Sequence, residues 1–231
     1  MDKNQQFSAC TITVKHCKCF EILTEAEREQ LDANSVEVMY KKGEILCKQG
    51  TFASHIMLMV SGLAKVYMES GSNSLVLKII PEGNFIGMAS VSGTQNTYNY
   101  SAMTYMDSVV RQIDHVTFNK LLNQNPLFAK EVIDILTSNS IQIYGRFFCL
   151  TQKQAYGRLA DIILCLSDRI FKQDEFSLPL SRKDLADLSG MSQETVIRIL
   201  NKFESEKLIV LEGKKFKVSN YELLKQISEK G

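Results

Sequence analysis

Between residues 36 and 113 the chain is a succession of short β-type runs interrupted by glycine. The runs are VEVMY, EILC, IMLMV, LAKVYM, LVLKII, NFIG, YSAMT and SVVRQI. The interruptions fall at Gly43, Gly50, Gly62, Gly71, Gly83, Gly87 and Gly93. Many short strands at near-regular spacing predict an all-β barrel, roll or sandwich. Glycine supplies the positive φ that the turns between them require.

The flanks have a different texture. Residues 20 to 30, FEILTEAEREQ, predict a short helix that Thr24 caps, with Glu25, Glu27 and Glu29 crowding its positive end. After residue 113, HVTFNKLLNQN predicts a second short helix, stopped by Pro126. LFAKEVIDILTSNSIQIYGRFFCL follows as a long helix. In it Phe128, Val132, Ile135, Leu136, Ile143, Phe147 and Leu150 recur at three- and four-residue steps. A long apolar stripe between two domains is a natural homodimer seam, expected here over residues 127–150. The competing expectation is that the stripe packs only on its own β domain. AYGRLADIILCLSDRIF then predicts an amphipathic helix, and DEFSLPL an extended linker and strand. Two short helices, a hairpin and a final helix complete the chain.

Composition excludes several classes. The chain has 231 residues, 45% hydrophobic and 23% charged. That is a soluble globular balance, unlike a collagen-like, disordered or disulfide-scaffold chain. Lys+Arg 27 against Asp+Glu 26 leaves a net charge of +1, so any nucleic-acid site must be local. The first residues hold no apolar stretch of signal-peptide length, and no run of about 18 apolar residues occurs. No membrane partner is expected, and the expected location is cytoplasmic. Cys10, Cys17, Cys19, Cys47, Cys149 and Cys165 then read as reduced thiols, the last three as core residues.

The most informative stretch is LSRKDLADLSGMSQETVIRILNKFESEKLIVLEGKKFKV. Ser181 and Asp184 have capping-box spacing, and Leu180 with Leu185 can form the hydrophobic staple. A helix over 182–188 meets Ser189-Gly190-Met191, a tight corner in which Gly190 suits the left-handed conformation. Ser192 caps a second helix running to about Ser205. Its inward positions are Val196, Ile199, Leu200 and Phe203. Gln193, Glu194, Ile197, Arg198 and Lys202 face outward, and the first four are the candidate base readers. Arg198 can bond guanine O6 and N7, and Glu194 can accept from cytosine N4. An ordinary i, i+4 surface ion pair is the competing reading of Glu194 and Arg198. Ile209–Leu211 and Phe216–Val218 predict a hairpin wing. Ser181, Ser192, Thr195, Lys202, Lys214, Lys215 and Lys217 are the candidate contacts to the DNA backbone.

With these residues in view the chain resembles the Crp/Fnr family of bacterial transcription regulators over nearly its whole length. KGEILCKQG, SGLAKVY and GNFIG are similar to the family's cyclic-nucleotide-binding-type roll, and GMSQETVIRIL to its recognition helix. The resemblance implies an α+β chain: an N-terminal double-stranded, jelly-roll-like β-roll, a long dimerisation helix and a C-terminal winged helix-turn-helix. The expected boundaries are a cysteine-containing segment 1–22, a sensor roll 23–122, a dimerisation helix 123–152 and a DNA-binding domain 153–231. It also implies a homodimer on double-stranded DNA with a two-fold site, half-sites roughly 34 Å apart, and RNA polymerase as downstream partner. In the family, residues matching Glu194 and Arg198 read the core of the half-site. Gln193 replaces a further basic residue of cyclic-AMP-responsive members.

The effector is a separate question. A buried cyclic phosphate needs an arginine and backbone N–H donors, with an acid for the ribose. In the family these follow the glycine matching Gly87, where this chain reads MASVSGTQNTYNYSAMT, without Arg, Lys, Asp or Glu. Met88 stands at the position of the ribose-binding Glu, and Tyr98, Asn99, Tyr100 or Ser101 near that of the Arg. Cyclic AMP is therefore disfavoured. An effector pocket, if used, would involve Phe85, Gly87, Met88, Ala89, Tyr98, Asn99, Tyr100 and Ser101.

An N-terminal metal or iron–sulfur site would use Cys10, Cys17 and Cys19, with His16 nearby. The position of the roll cysteine in oxygen-sensing members matches Arg111, and unligated or redox-reactive thiols are the default. Haem would have to use His16, His55 or His115, the three histidines present. No G-x-x-x-x-G-K-[ST], H-E-x-x-H or G-x-S-x-G motif occurs, so an enzyme is not expected. The alternative to a DNA-binding regulator is a ligand-binding module acting mainly through protein contacts.

Overall fold

The structure is a computed structural model and describes residues 19–71, 73–92 and 96–231. These residues divide into two compact units. The first comprises the described part of Thr13–Ser74 together with Ile79–Ile141. The second comprises Leu75–Lys78 and Gln142–Gly231.

The first unit opens with helix α1, Glu25–Ala33. Thr24 is its N-cap: the Thr24 Oγ1 accepts the Glu27 N–H at 3.3 Å, and the Glu27 carboxylate accepts the Thr24 N–H at 2.8 Å. The strands follow as β1 Ser35–Tyr40, β2 Ile45–Cys47, β3 His55–Ser61, β4 Leu63–Ser70, β5 Asn73–Pro81, β6 Phe85–Ile86, β7 Ser101–Thr104 and β8 Ser108–Asp114. They form two four-stranded sheets, β1-β8-β3-β6 and β2-β7-β4-β5. The pairing of β1 with β8 is antiparallel, from Ser35 opposite Ile113 to Tyr40 opposite Ser108. Gly62, between β3 and β4, has φ of 101°, and a Cβ there would lie 2.2 Å from Ser108 Oγ. Conformation and space both demand glycine at that corner.

Helix α2, His115–Gln124, starts at Asp114, whose carboxylate accepts the Thr117 N–H. Helix α3 spans Pro126–Gln152. The core of the first unit is aromatic. Phe118 stands edge-on to Phe128 at 5.3 Å and to Phe85 at 6.0 Å, and Phe20 completes the cluster. Leu31, Ile56, Ile113, Val132 and Ile135 surround it.

That packing corrects the single stripe expected along α3. Phe128, Val132 and Ile135 are buried in the core of their own unit, which satisfies the competing expectation for this half of the stripe. The exposed apolar side chains are Ile143 and Phe147 of the expected stripe together with Leu127, Ile133, Ile141, Tyr144 and Phe148, with Tyr144 and Phe147 exposed by 67% and 69%. Apolar residues occupy two faces of the helix, and spacing alone merges them into one list.

In the second unit α4, Ala155–Cys165, runs into a π-helical turn, Leu166–Phe171, ended by Lys172 at φ 52°. One continuous helix was expected here, but the closing bond returns from Lys172 N–H to Ser167 O, five residues back. Strand β9, Glu175–Ser177, precedes α5, Arg182–Ser189, and α6, Gln193–Ser205. Strands β10, Ile209–Glu212, and β11, Lys215–Val218, form the hairpin before α7, Tyr221–Lys230. The sheet order is β10-β11-β9. Phe171, Phe176 and Phe216 stack in sequence beneath it. A buried Lys153–Asp161 ion pair at 3.1 Å, with Ser228 donating to Asp161 at 3.0 Å, joins α4 to α7.

Candidate nucleic-acid interface

The capping box at Ser181 is formed. Asp184 N–H donates to Ser181 Oγ at 3.1 Å, and the Asp184 carboxylate accepts the Ser181 N–H at 2.9 Å. Helix α5 ends at Gly190, φ 63°, whose N–H returns to Ala186 O. A Cβ on Gly190 would approach Leu150 Cδ2 to 3.1 Å, so the turn is restricted by dihedral and by space. Ser192 then caps α6 by accepting the Thr195 N–H at 3.2 Å. Leu180, Leu185 and Ala186 are buried.

On α6 the buried residues are Val196, Ile199, Leu200 and Phe203. Gln193, Glu194, Ile197 and Arg198 are exposed along the opposite face, and Thr195 is half-buried. The Glu194 backbone N–H and the Ser192 hydroxyl hold the Glu194 carboxyl below the usual carboxylate range. It is therefore an ionised acceptor at the positive end of the helix. No ion pair within 4 Å joins Glu194 to Arg198 among the described residues, so the reading of the two as a surface pair is not realised. The helix presents one acceptor and one planar donor side by side.

The basic candidates divide. Lys214 and Lys215 are exposed at the hairpin turn. Lys202 instead pairs with Glu206 at 2.9 Å, and Lys217 with Glu175 at 3.8 Å. The carboxylates of Glu206 and Glu175 are the residues missed in reading the sequence. The i, i+4 spacing of Lys202 and Glu206 was a usable signal. The second pair depends on the β11–β9 register, which sets Lys217 opposite Glu175.

A family model of the Crp-like helix-turn-helix domain matches residues 157–227, and one of the cyclic nucleotide-binding domain matches 37–125. Transcriptional activatory protein AadR of Rhodopseudomonas palustris is 26% identical over 195 residues, covering 82% of this chain and 80% of its own length. The fumarate and nitrate reduction regulatory protein of Yersinia pestis is 27% identical over 214 residues, covering 89% and 84%. The structure of FixK2 from Bradyrhizobium japonicum shares the fold, with a TM-score of 0.76 at 20% identity over 84% of this chain and 96% of that one. The chain belongs to the Crp/Fnr family. It is a DNA-binding transcription regulator of the Crp/Fnr type, not an enzyme.

The roll of this Crp/Fnr regulator can be tested for its fit to a cyclic nucleotide. Gly87 N–H, a backbone donor at the expected phosphate position, donates to Tyr100 Oη at 2.8 Å. Tyr98 Oη donates to His55 O at 2.7 Å. Burial raises both phenols, Tyr98 to about 12, so both are neutral. Phe85 and Met88 lie in the aromatic core, and Ser101 is buried, accepting the Gln49 N–H at 3.0 Å. Ala89 and Asn99 are exposed. A cyclic phosphate does not fit these residues as they stand: the chain's own tyrosine holds the amide, and no cation lies on the segment.

The cysteines and histidines carry further corrections. Cys47 and Cys149 are buried thiols, each pushed up to about 12, chiefly by desolvation. Neither is a reactive thiolate. Cys19 and Cys165 are each part of a disulfide, against the expectation of reduced thiols throughout. Both are buried, and a buried thiol and a buried disulfide present the same apolar pattern in sequence. Cys10, Cys17 and His16 lie outside the described residues. His115 Nε2 meets Ser90 O at 3.1 Å and its Nδ1 meets Asn119 at 3.1 Å, so both ring nitrogens are engaged. His55 Nδ1 meets Ser54 Oγ at 2.8 Å. Arg111, at the position of the roll cysteine, pairs with Asp32 and donates to Ser35 Oγ.

Proposed function

We propose that the chain works as a homodimer that reads a two-fold DNA site, one α6 per half-site, and that its roll answers to something other than cyclic AMP. The observation that carries this is the outer face of α6. Glu194 and Arg198 are exposed at the end of a capped helix, with no ion pair between them. A helix entering the major groove does so by this end. Lys214 and Lys215 on the wing, with Ser181, Ser192 and Thr195 at the helix starts, lie in the same unit and are assigned to phosphates. Lys202 and Lys217 would first have to leave Glu206 and Glu175.

The exposed apolar face of α3 supports the dimer, because a second copy covers the same patch on itself. RNA polymerase is the proposed downstream partner, on family grounds, and the cytoplasm the proposed location. Among the described residues no helix is long and apolar enough to cross a membrane.

The test begins with selection of binding sites from a random duplex library by the full chain. A palindromic consensus is expected. Arg198→Ala should lose about 1–3 kcal/mol of discrimination at one base pair per half-site. An unchanged consensus with that variant would remove α6 from base reading. Titration calorimetry with cyclic AMP should show no binding.

A further inference from the structure

The last two turns of α3 carry a cation that the chain has buried. Arg146 is 4% exposed. Its Nε donates to Val76 O at 2.8 Å and its Nη2 to Leu188 O at 2.7 Å. Val76, Arg146 and Leu188 all belong to the second unit, which takes in Leu75–Lys78 of β5. Leu188 lies in the last turn of α5, and two residues later Gly190 turns the chain toward α6. The neighbouring carbonyls of that turn are served locally. Leu185 O accepts the Ser189 hydroxyl at 2.7 Å, and Ala186 O accepts the Met191 N–H at 3.1 Å. Leu188 O is served from α3 instead. One turn further along α3, Leu150 Cδ2 is the atom that a Cβ on Gly190 would meet, at 3.1 Å. Arg146 and Leu150 are four residues apart, so one face of α3 supports the corner on both sides of Ser189. Desolvating a guanidinium is costly, and the cost is offset only where acceptors stand in fixed places. A buried arginine therefore specifies position as much as stability.

We propose that Arg146 is a positioning residue for DNA recognition. By holding Leu188 O it fixes the corner between α5 and α6, and with it the direction in which α6 presents Glu194 and Arg198. The inference rests on the groove-reading role of α6 proposed above. The same guanidinium holds Val76 O, so the corner is referenced to β5 as well as to α3. Arg146 is buried and acts through geometry, not by touching the duplex. Specific binding needs the base contacts in register and depends on this arginine. Non-specific binding needs phosphate contacts alone and does not.

The experiment compares the full wild-type chain with Arg146→Gln and Arg146→Lys, each well below its melting temperature. Two duplexes are used, one taken from the chain's own selected sites and one scrambled. Stoichiometric titration first gives the active fraction, so that unfolded chain is not counted as weak binding. Arg146→Gln should bind the selected duplex about ten- to a hundredfold more weakly, the range that one or two lost base contacts produce. Its binding to the scrambled duplex should stay within about twofold of the wild type. Arg146→Lys keeps the charge without the planar fork and should recover part of the loss. Should Arg146→Gln not fold, the comparison is read from Arg146→Lys. The slope of log affinity against log salt should match the wild type, because no phosphate contact is lost. Equal weakening on both duplexes, with a slope lowered by about one, would overturn the inference by making Arg146 a phosphate contact. A lower melting temperature with unchanged affinity of the active fraction would overturn it by making Arg146 a stabilising residue only. Either result leaves α6 as the reading helix. Failure of the wild type to select any sequence would remove the groove-reading role itself, and this inference with it.

Discussion

Single side chains in this protein are set by what their neighbours leave unsatisfied. Tyr100 is an example: its phenol oxygen accepts the Gly87 N–H at 2.8 Å. Lys78 is another. It is buried in β5, and desolvation lowers its ammonium to about 8. A lysine whose folded pKa falls below its unfolded value of about 10.5 binds fewer protons when folded. Stability should therefore rise as pH increases from about 8 to 10.5, and fall as pH drops through 8. Lys78→Met should lose that pH-dependent rise. Thermal denaturation between pH 7 and 10.5 checks both.

Elements are joined by a few buried polar groups. Arg146, 4% exposed on α3, donates Nε to Val76 O at 2.8 Å and Nη2 to Leu188 O at 2.7 Å. Leu188 is in the last turn of α5, where carbonyls lack partners within the helix. The guanidinium thus ties β5 and α3 to the end of α5, two residues before the Gly190 turn. Arg146→Ala would strip a donor from two carbonyls and should cost about 2–4 kcal/mol. Hydrogen exchange should accelerate around 186–191 more than in α7. No local pattern announced this residue; in sequence Arg146 is a basic interruption of an apolar stripe.

At the scale of the whole molecule the exposed side of α3 is the proposed dimer contact. Ile133, Ile141, Tyr144 and Phe147 are exposed apolar side chains of this helix. Phe147→Asp should shift sedimentation from dimer to monomer. It should also lower affinity for a two-fold site far more than for a single half-site, since only the former needs two recognition helices at once. Equal loss on both would place the damage in the fold.

The sequence by itself determined what local chemistry can encode. The capping boxes at Thr24 and Ser181, the turn at Gly190, the four inward residues of α6 and the glycine-marked strands of the roll all depend on residues within a few positions of one another. Tertiary structure alone decided which face of α3 is core, that Glu175 stands against Lys217, and that Tyr100 reaches Gly87 N–H. Each of these depends on which distant residue arrives opposite. Register, burial and hydrogen-bond partners across a sheet are properties of the folded arrangement, so no periodicity in the chain contains them.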